Sequence, residues 1–467
     1  MSTPPRTRQR WSVRAAGLVI GATLFVVATA CSAGSGDSRA AIPTAPPAIA
    51  VWTSCGEGLE CTSLTVPVDW TNPEGATIDL AVIRRPASGP SIGPLLVNPG
   101  GPGASGVEWL RGTSVFDELN TSFDIVSWDP RGVGDSTRLD CGGVGGTNGA
   151  DVHKASPIGP DAATNLALVV EMSQACALGS PELVANLGTD QTVGDMEAIR
   201  MAMGASQISY LGFSYGTYLG LSYAERFGPQ VRAMVLDGVV DPALDLQQLL
   251  AAQLEGMEPL LDAIASTPAG GNLFDVAADT EGVDPAVLSF AAIAASYDPS
   301  SHQRLRQALI DAIEGDSTGL RSLADGYWSA ASFTAYLGTL CADLNRPRDA
   351  AGYQDMVDAL TAVAPRLGPA VAGEVAGCAW WPGPPGTSDP AAVGVGAPPI
   401  LVVGATGDVA TPLALAESVD AALGTSALVV HESGSHTSFG RSTCVDTAVI
   451  NYLVSLTLPA DPTVCSI

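Results

Sequence analysis

The residues best placed to do chemistry lie in Ile208–Gly216, ISYLGFSYG. A short strand-like run enters Gly212-Phe213-Ser214-Tyr215-Gly216, and TYLGLSYAERFG continues as a helix. A serine on so sharp a strand-to-helix turn is a nucleophile elbow, since glycines two before and two after it remove the clash that side chains would make. The helix start and the Tyr215 N–H then face developing negative charge. The same G-x-S-x-G spacing recurs around Ser91 (GPSIG) and Ser317 (GDSTG). Ser91 has its strand after it and Ser317 follows a helical run, so only Ser214 has the required context.

A serine hydroxyl needs a base. Of the four histidines, His153 falls in a polar stretch and His302 in a helical segment, whereas His431 ends a strand-like run and His436 follows it in SGSHT. His436 is the expected base, with His431 as the fallback. The acid should lie between serine and histidine in the chain. Asp408, in GATGDVATP, has that position; Asp237 and Asp241 follow the preceding strand and are its rivals. Thr411 is placed to hold the Asp408 loop. Asn98-Pro99-Gly100-Gly101-Pro102-Gly103 closes a buried strand two before the elbow, which makes Gly101 or Gly100 the expected partner of Tyr215 in an oxyanion hole.

These residues must be delivered by a sheet. CTSLTVPVD and TIDLAVIR alternate as a hairpin; GPLLVN, FDIVSWD, AMVLD, PILVVG and ALVVH are short apolar runs suited to buried parallel strands. Helical patterns separate them, so the expected fold is α/β: an α/β-hydrolase with a mostly parallel sheet flanked by helices. Residues 141–190 read as a first insertion. Residues 243–394 carry helical patterns without strands and read as an inserted helical cap. The core is then 52–242 and 395–467.

Arg6, Arg8, Arg10 and Arg14 precede the apolar run Ala15–Ala30, so residues 1–30 read as an export signal. Ala-Thr-Ala-Cys31 resembles a lipobox, which makes Cys31 the expected lipidation site and the lipid the only membrane attachment; plain secretion is the alternative. Residues 31–51 have linker composition. Without Cys31, eight of the nine cysteines remain. An even number outside the cytosol reads as disulfides, and closeness in sequence suggests 55–61, 141–176, 341–378 and 444–465. No metal site or cofactor is expected, because no C-x-x-C occurs and the histidines are scattered. A formal charge of −27 argues against nucleic acid and anionic lipid as partners.

Together the stretches LLVNPGGPGASG, DIVSWDPRGVGDS, ISYLGFSYGTYLGLSYAERFG, VLDGVVDP, CADLNRP, CAWWP, GATGDVATP and SGSHTSF resemble the exported tripeptidyl aminopeptidases of actinobacteria, relatives of the proline iminopeptidases. Pro99 stands where the iminopeptidases have histidine, a change that leaves the backbone donors intact. The resemblance implies cleavage of short peptides at a free N-terminus through Ser214, Asp408 and His436. A cap carboxylate would then meet the ammonium group, and Asp343, Glu255 and Glu258 are the candidates. Trp380 and Trp381 are candidates for a pocket wall. A carboxylesterase or lipase shares the same core and is the alternative; a non-enzymatic surface lipoprotein is disfavoured by the intact triad. A dehalogenase or epoxide hydrolase is disfavoured by serine at the elbow, where those enzymes carry aspartate.

Overall fold

The computed structural model describes residues 49–154, 158–383, 386 and 396–466. The expected export signal, Cys31 and most of the linker lie outside them. Among the described residues no helix is long and apolar enough to cross a membrane.

Ten strands form one sheet among the described residues: β1 (Thr53–Gly56), β2 (Leu59–Pro67), β3 (Thr77–Arg85), β4 (Pro94–Asn98), β5 (Asp124–Trp128), β6 (Ile208–Phe213), β7 (Val231–Asp237), β8 (Ile400–Ala405), β9 (Ser426–His431) and β10 (Thr463–Cys465). Their order is β1-β2-β3-β5-β4-β6-β7-β8-β9-β10. The first three strands and the β3–β5 pair are antiparallel, and every other pairing is parallel. β4, β6 and β8 are buried at every position, as strands covered by helices on both faces must be. The expected hairpin is β2–β3. β1 and β10 had no apolar signal to find: they are short edge strands, with Cys55 bonded to Cys61 and Cys444 to Cys465. The other two bridges are Cys141–Cys176 and Cys341–Cys378, so all four follow the nearest-neighbour pairing.

Register brings the chemistry to one edge. Asn98 pairs with Gly212, Phe213 with Asp237, Asp237 with Val403 and Ala405 with His431. The loops after β4, β6, β8 and β9 therefore emerge side by side at the carboxyl ends of the parallel strands.

Between β7 and β8 the chain is helical. The first helix, Leu246–Ala265, starts with a capping box in which Asp245 and Gln248 each accept the other's backbone N–H. Leu246, Leu249, Leu250, Leu254, Met257 and Leu261 form its buried stripe. Later helices include Pro285–Ser296, Thr318–Trp328, Phe333–Asp343 and Gly368–Glu374. The helices Ala150–Lys154 and Ala162–Gly179 lie between β5 and β6.

The DPRG turn after β5 is held by a buried ion pair. The Arg131 guanidinium donates to both oxygens of Asp195 at 2.6 and 2.9 Å, and to the Val68 and Asn186 carbonyls. Asp195 also accepts from Trp70 Nε1 at 3.0 Å. Both charges are fully enclosed, so removing one leaves the other buried and uncompensated. Arg131→Met is expected to lower the unfolding free energy by about 3–5 kcal/mol in urea denaturation.

Candidate active site

Ser214 occupies the left-handed side of backbone space, φ 55° and ψ −125°. Three glycines admit it. A Cβ on Gly212 would run into the Gly216 carbonyl; one on Gly216 would sit 2.8 Å from the Asn98 carbonyl; one on Gly100 would meet the Phe213 carbonyl and lie 2.9 Å from the Tyr215 nitrogen. Hydrogen bonds lock the turn. Ser214 N–H donates to the Asp237 carbonyl at 2.9 Å, and Thr217 Oγ1 donates to the Ser214 carbonyl at 2.6 Å while accepting from Val240 N–H at 2.9 Å.

The histidine and its acid meet. His436 Nδ1 lies 2.9 and 3.1 Å from the two oxygens of Asp408. A carboxylate on Nδ1 selects the tautomer that leaves Nε2 as acceptor. Asp408 also accepts from the N–H groups of Ala410 and Thr411, both at 2.9 Å, and from Thr411 Oγ1 at 2.8 Å. Burial pushes this carboxyl up, but the His436 charge, its hydrogen bond and the Thr411 donors together hold it below its ordinary value. Thr411 therefore does hold the Asp408 loop, through both its backbone and its hydroxyl. His436 N–H donates to the Tyr297 carbonyl at 2.9 Å, and the Tyr297 ring meets the imidazole edge-on at 5.3 Å. Gly238 has φ +70°, and a Cβ there would lie 3.4 Å from His436 Cε1 and 3.0 Å from Thr411 Oγ1.

The rivals have other partners. Asp237 accepts the N–H groups of Ser438, at 2.9 and 3.0 Å, and Phe439, at 2.7 Å. It anchors the chain just past His436. Asp241 accepts from Ala243 N–H in a local turn. His431 is buried at the end of β9 with Nδ1 3.2 Å from Ser438 Oγ.

Ser214, Tyr215, Gly101, Thr411 and His436 line one cavity of about 530 Å³. Gly100 N–H is taken by Asn98 Oδ1 at 2.9 Å, and Gly101 is among the residues that line the cavity. The opposite wall comes from the helices between β7 and β8: Leu249, Leu250, Met257, Ile293, Tyr297, Leu323, Tyr327, Phe333, Tyr336, Leu340, Val371 and Glu374. None of the three acids expected to meet an amine is among the cavity's lining residues. Glu255 is exposed. Glu258 is held by Arg366 at 3.1 Å and by Leu367 N–H. Asp343 is buried against Thr189 and Tyr215. Trp381 is buried among the core side chains, and Trp380 packs on Tyr353.

The acid in the wall is Glu374. His153 Nε2 lies 2.6 Å from its Oε1, and Tyr327 donates to its Oε2 at 3.2 Å. His153 was expected in a polar loop. It sits instead in the helix Ala150–Lys154, buried and stacked on Phe333 at 4.3 Å, and it too lines the cavity. Its Nδ1 is enclosed without a hydrogen-bond partner.

Comparison with known proteins agrees with this architecture. Residues 364–465 match the family model described as TAP-like protein, an α/β-hydrolase family. The chain is 31% identical over 477 residues to the serine protease Hip1 of Mycobacterium tuberculosis, covering 89% of this chain and 90% of that protein. It is 33% identical over 474 residues to a carboxylesterase B of the same organism, covering 89% of each. A tripeptidyl aminopeptidase of Streptomyces lividans is 30% identical over 469 residues, 89% of this chain and 86% of that one. Among solved structures, a proline iminopeptidase of Mycobacterium smegmatis is 16% identical, with 84% of this chain and 97% of that one covered and a TM-score of 0.38.

Burial pushes the Asp237 carboxyl up to about 6, against the pull of the Phe439 and Ser438 N–H groups. Between its ordinary range and 6, the folded chain keeps a proton that the unfolded chain releases. The group's contribution is therefore complete below the ordinary carboxylate range and is lost as pH rises through 6. The stability of wild type relative to Asp237→Asn should fall by roughly 2 kcal/mol between about pH 4 and pH 7, measured by urea denaturation at both.

Proposed function

We propose a peptidase function from one premise: the chain belongs to the TAP-like family of α/β-hydrolases, and it is a serine hydrolase. The proposed activity is that of an aminopeptidase releasing short peptides from free N-termini. The observation that carries it is Glu374, a buried carboxylate facing the same cavity as Ser214 and His436. A carboxylate has about four lone-pair sites; His153 and Tyr327 engage two. An ammonium group can take a third, with Tyr327, Phe333 and Tyr336 supplying aromatic faces nearby. An acyl chain alone gives no reason to bury a charge there.

In the proposed mechanism His436 Nε2 takes the Ser214 proton as the hydroxyl attacks the scissile carbonyl. Gly101 and Tyr215 N–H groups hold the oxyanion, and Asp408 stabilises the imidazolium. The imidazolium then protonates the departing amine. Water, deprotonated by the same nitrogen, hydrolyses the acyl-enzyme and restores Ser214. The four disulfides support reading the chain as exported. Lipidation at Cys31 rests on the sequence motif, and the helical segment 243–394 is read as the cap of the site.

The second reading, a carboxylesterase, is favoured by the apolar side chains that dominate the rest of the wall. Two experiments separate them. A tripeptide anilide with a free amine should be cleaved and its N-acetyl twin spared. Glu374→Gln should raise KM for the free-amine substrate about tenfold or more, the value of a hydrogen bond to a charged group, and should erase the preference over the acetylated twin. Equal cleavage of both twins by wild type would move the esterase reading to first place.

A further inference from the structure

Asp343 does not face the cavity, yet it touches the elbow. Its carboxylate accepts Thr189 N–H at 2.6 Å, Thr189 Oγ1 at 2.8 Å and the Tyr215 hydroxyl. Thr189 Oγ1 and Tyr215 OH lie 2.8 Å apart, which closes a three-membered polar cluster. All three residues are buried. Burial pushes the Asp343 carboxyl up to about 7, against the pull of the Thr189 donors. A carboxylate kept in such a place costs stability unless its donors are well set.

The other end of the same helix touches the other side of the reaction centre. Ser332, the N-cap of Phe333–Asp343, donates its N–H to the Gly103 carbonyl at 2.9 Å. Gly103 has φ +88°, and a Cβ on it would lie 2.8 Å from the Ser332 carbonyl and 2.9 Å from the Tyr336 nitrogen. This close approach seats the helix start on the NPGGPG loop. Between its ends the helix presents Phe333, Tyr336 and Leu340 to the cavity, and Cys341 ties it to Cys378, four residues after Glu374.

We propose that helix Phe333–Asp343 is a brace spanning both halves of the oxyanion hole, and that Asp343 is a positioning residue acting through the Tyr215 hydroxyl on the Tyr215 N–H. Tyr215 is the first residue of its helix, so its N–H has no intrahelical acceptor and its direction follows the placement of the residue. The ring is pinned by stacking on Tyr218 at 5.5 Å and by its hydroxyl on Asp343. Losing the hydroxyl's acceptor lets residue 215 tilt, and a donor aimed at a transition-state oxygen is sensitive to tilt. The simpler role for Asp343 would be to cap the helix Thr189–Ala202, whose own N-cap is Gly188. The two roles differ in which kinetic constant moves and in whether Tyr215 mediates it.

The proposal rests on the reading of Gly101 and Tyr215 as oxyanion donors, not on the peptidase reading. It is therefore tested with p-nitrophenyl acetate and with the rate of inactivation by a fluorophosphonate, alongside the peptide anilide. Asp343→Asn, Tyr215→Phe and the double variant are compared with wild type. Removing an oxyanion donor outright costs about 10²–10³ in kcat; misaiming one should cost about tenfold. The expected result is a kcat about tenfold lower on the ester for either single variant, KM within about twofold, and inactivation slowed to match. The double variant should be no slower than the worse single one. Unchanged kcat in Tyr215→Phe, a change in KM alone, or losses that multiply in the double variant would each overturn the proposal. If Asp343→Asn does not fold, Tyr215→Phe decides by itself. Wild type that hydrolyses the ester but no peptide would sink the peptidase reading and leave this test intact.

Discussion

The structure depends on one steric constraint, the left-handed backbone of Ser214. A non-glycine residue held there carries about 1–3 kcal/mol of strain and persists only where its surroundings over-determine it. Here the surroundings are backbone. Gly212, Gly216 and Gly100 each approach a neighbouring main-chain atom too closely for a side chain. The Asp237 carbonyl takes the Ser214 N–H from one side and Thr217 ties the Ser214 carbonyl from the other. β4, β6 and β7 must be in register for these contacts to form, so the sheet and the elbow specify each other.

Asp408, Asp237, Asp343 and Glu374 are all buried, and their partners differ. Asp408 has the imidazole and the Thr411 hydroxyl as partners, which hold it as a carboxylate. Asp237 has only backbone N–H groups, and burial raises it. It positions the histidine loop rather than the histidine. Asp343 has Tyr215 and Thr189, and Glu374 has His153 and Tyr327. Similar burial with different donors thus leaves one acid against His436, one on the loop that follows it, one against Thr189 and Tyr215, and one on the cavity.

Much of this was legible in the chain. Apolar runs of five or six residues marked the parallel strands, because strands covered on both faces have no polar positions to confuse the pattern. The strand-turn-helix context picked Ser214 out of three equal spacings. Chain order admits Asp237 and Asp408 alike, and the place of Asp408 after the strand at 399–404 is what favoured it; in the structure it is Asp408 that lies against His436. Asp343, Glu255 and Glu258 are acidic and lie within the helical segment, and neither property carries information on which way a side chain faces. Glu374 sits in GPAVAGEVAG, an almost uniformly apolar stretch with little helical periodicity, and His153 in a run that reads as polar loop. Their meeting joins residues 221 apart in the chain. The signal available was a lone acid in an apolar run, which burial makes costly and function makes intelligible.

The most direct test of the central claim is covalent. The purified protein would be treated with a fluorophosphonate, digested and mapped by mass spectrometry. A single adduct on Ser214, formed far more slowly when Asp408 is replaced by asparagine, is the predicted result. An adduct on another residue, or labelling indifferent to Asp408, would contradict the assignment of Ser214, His436 and Asp408 as one catalytic unit.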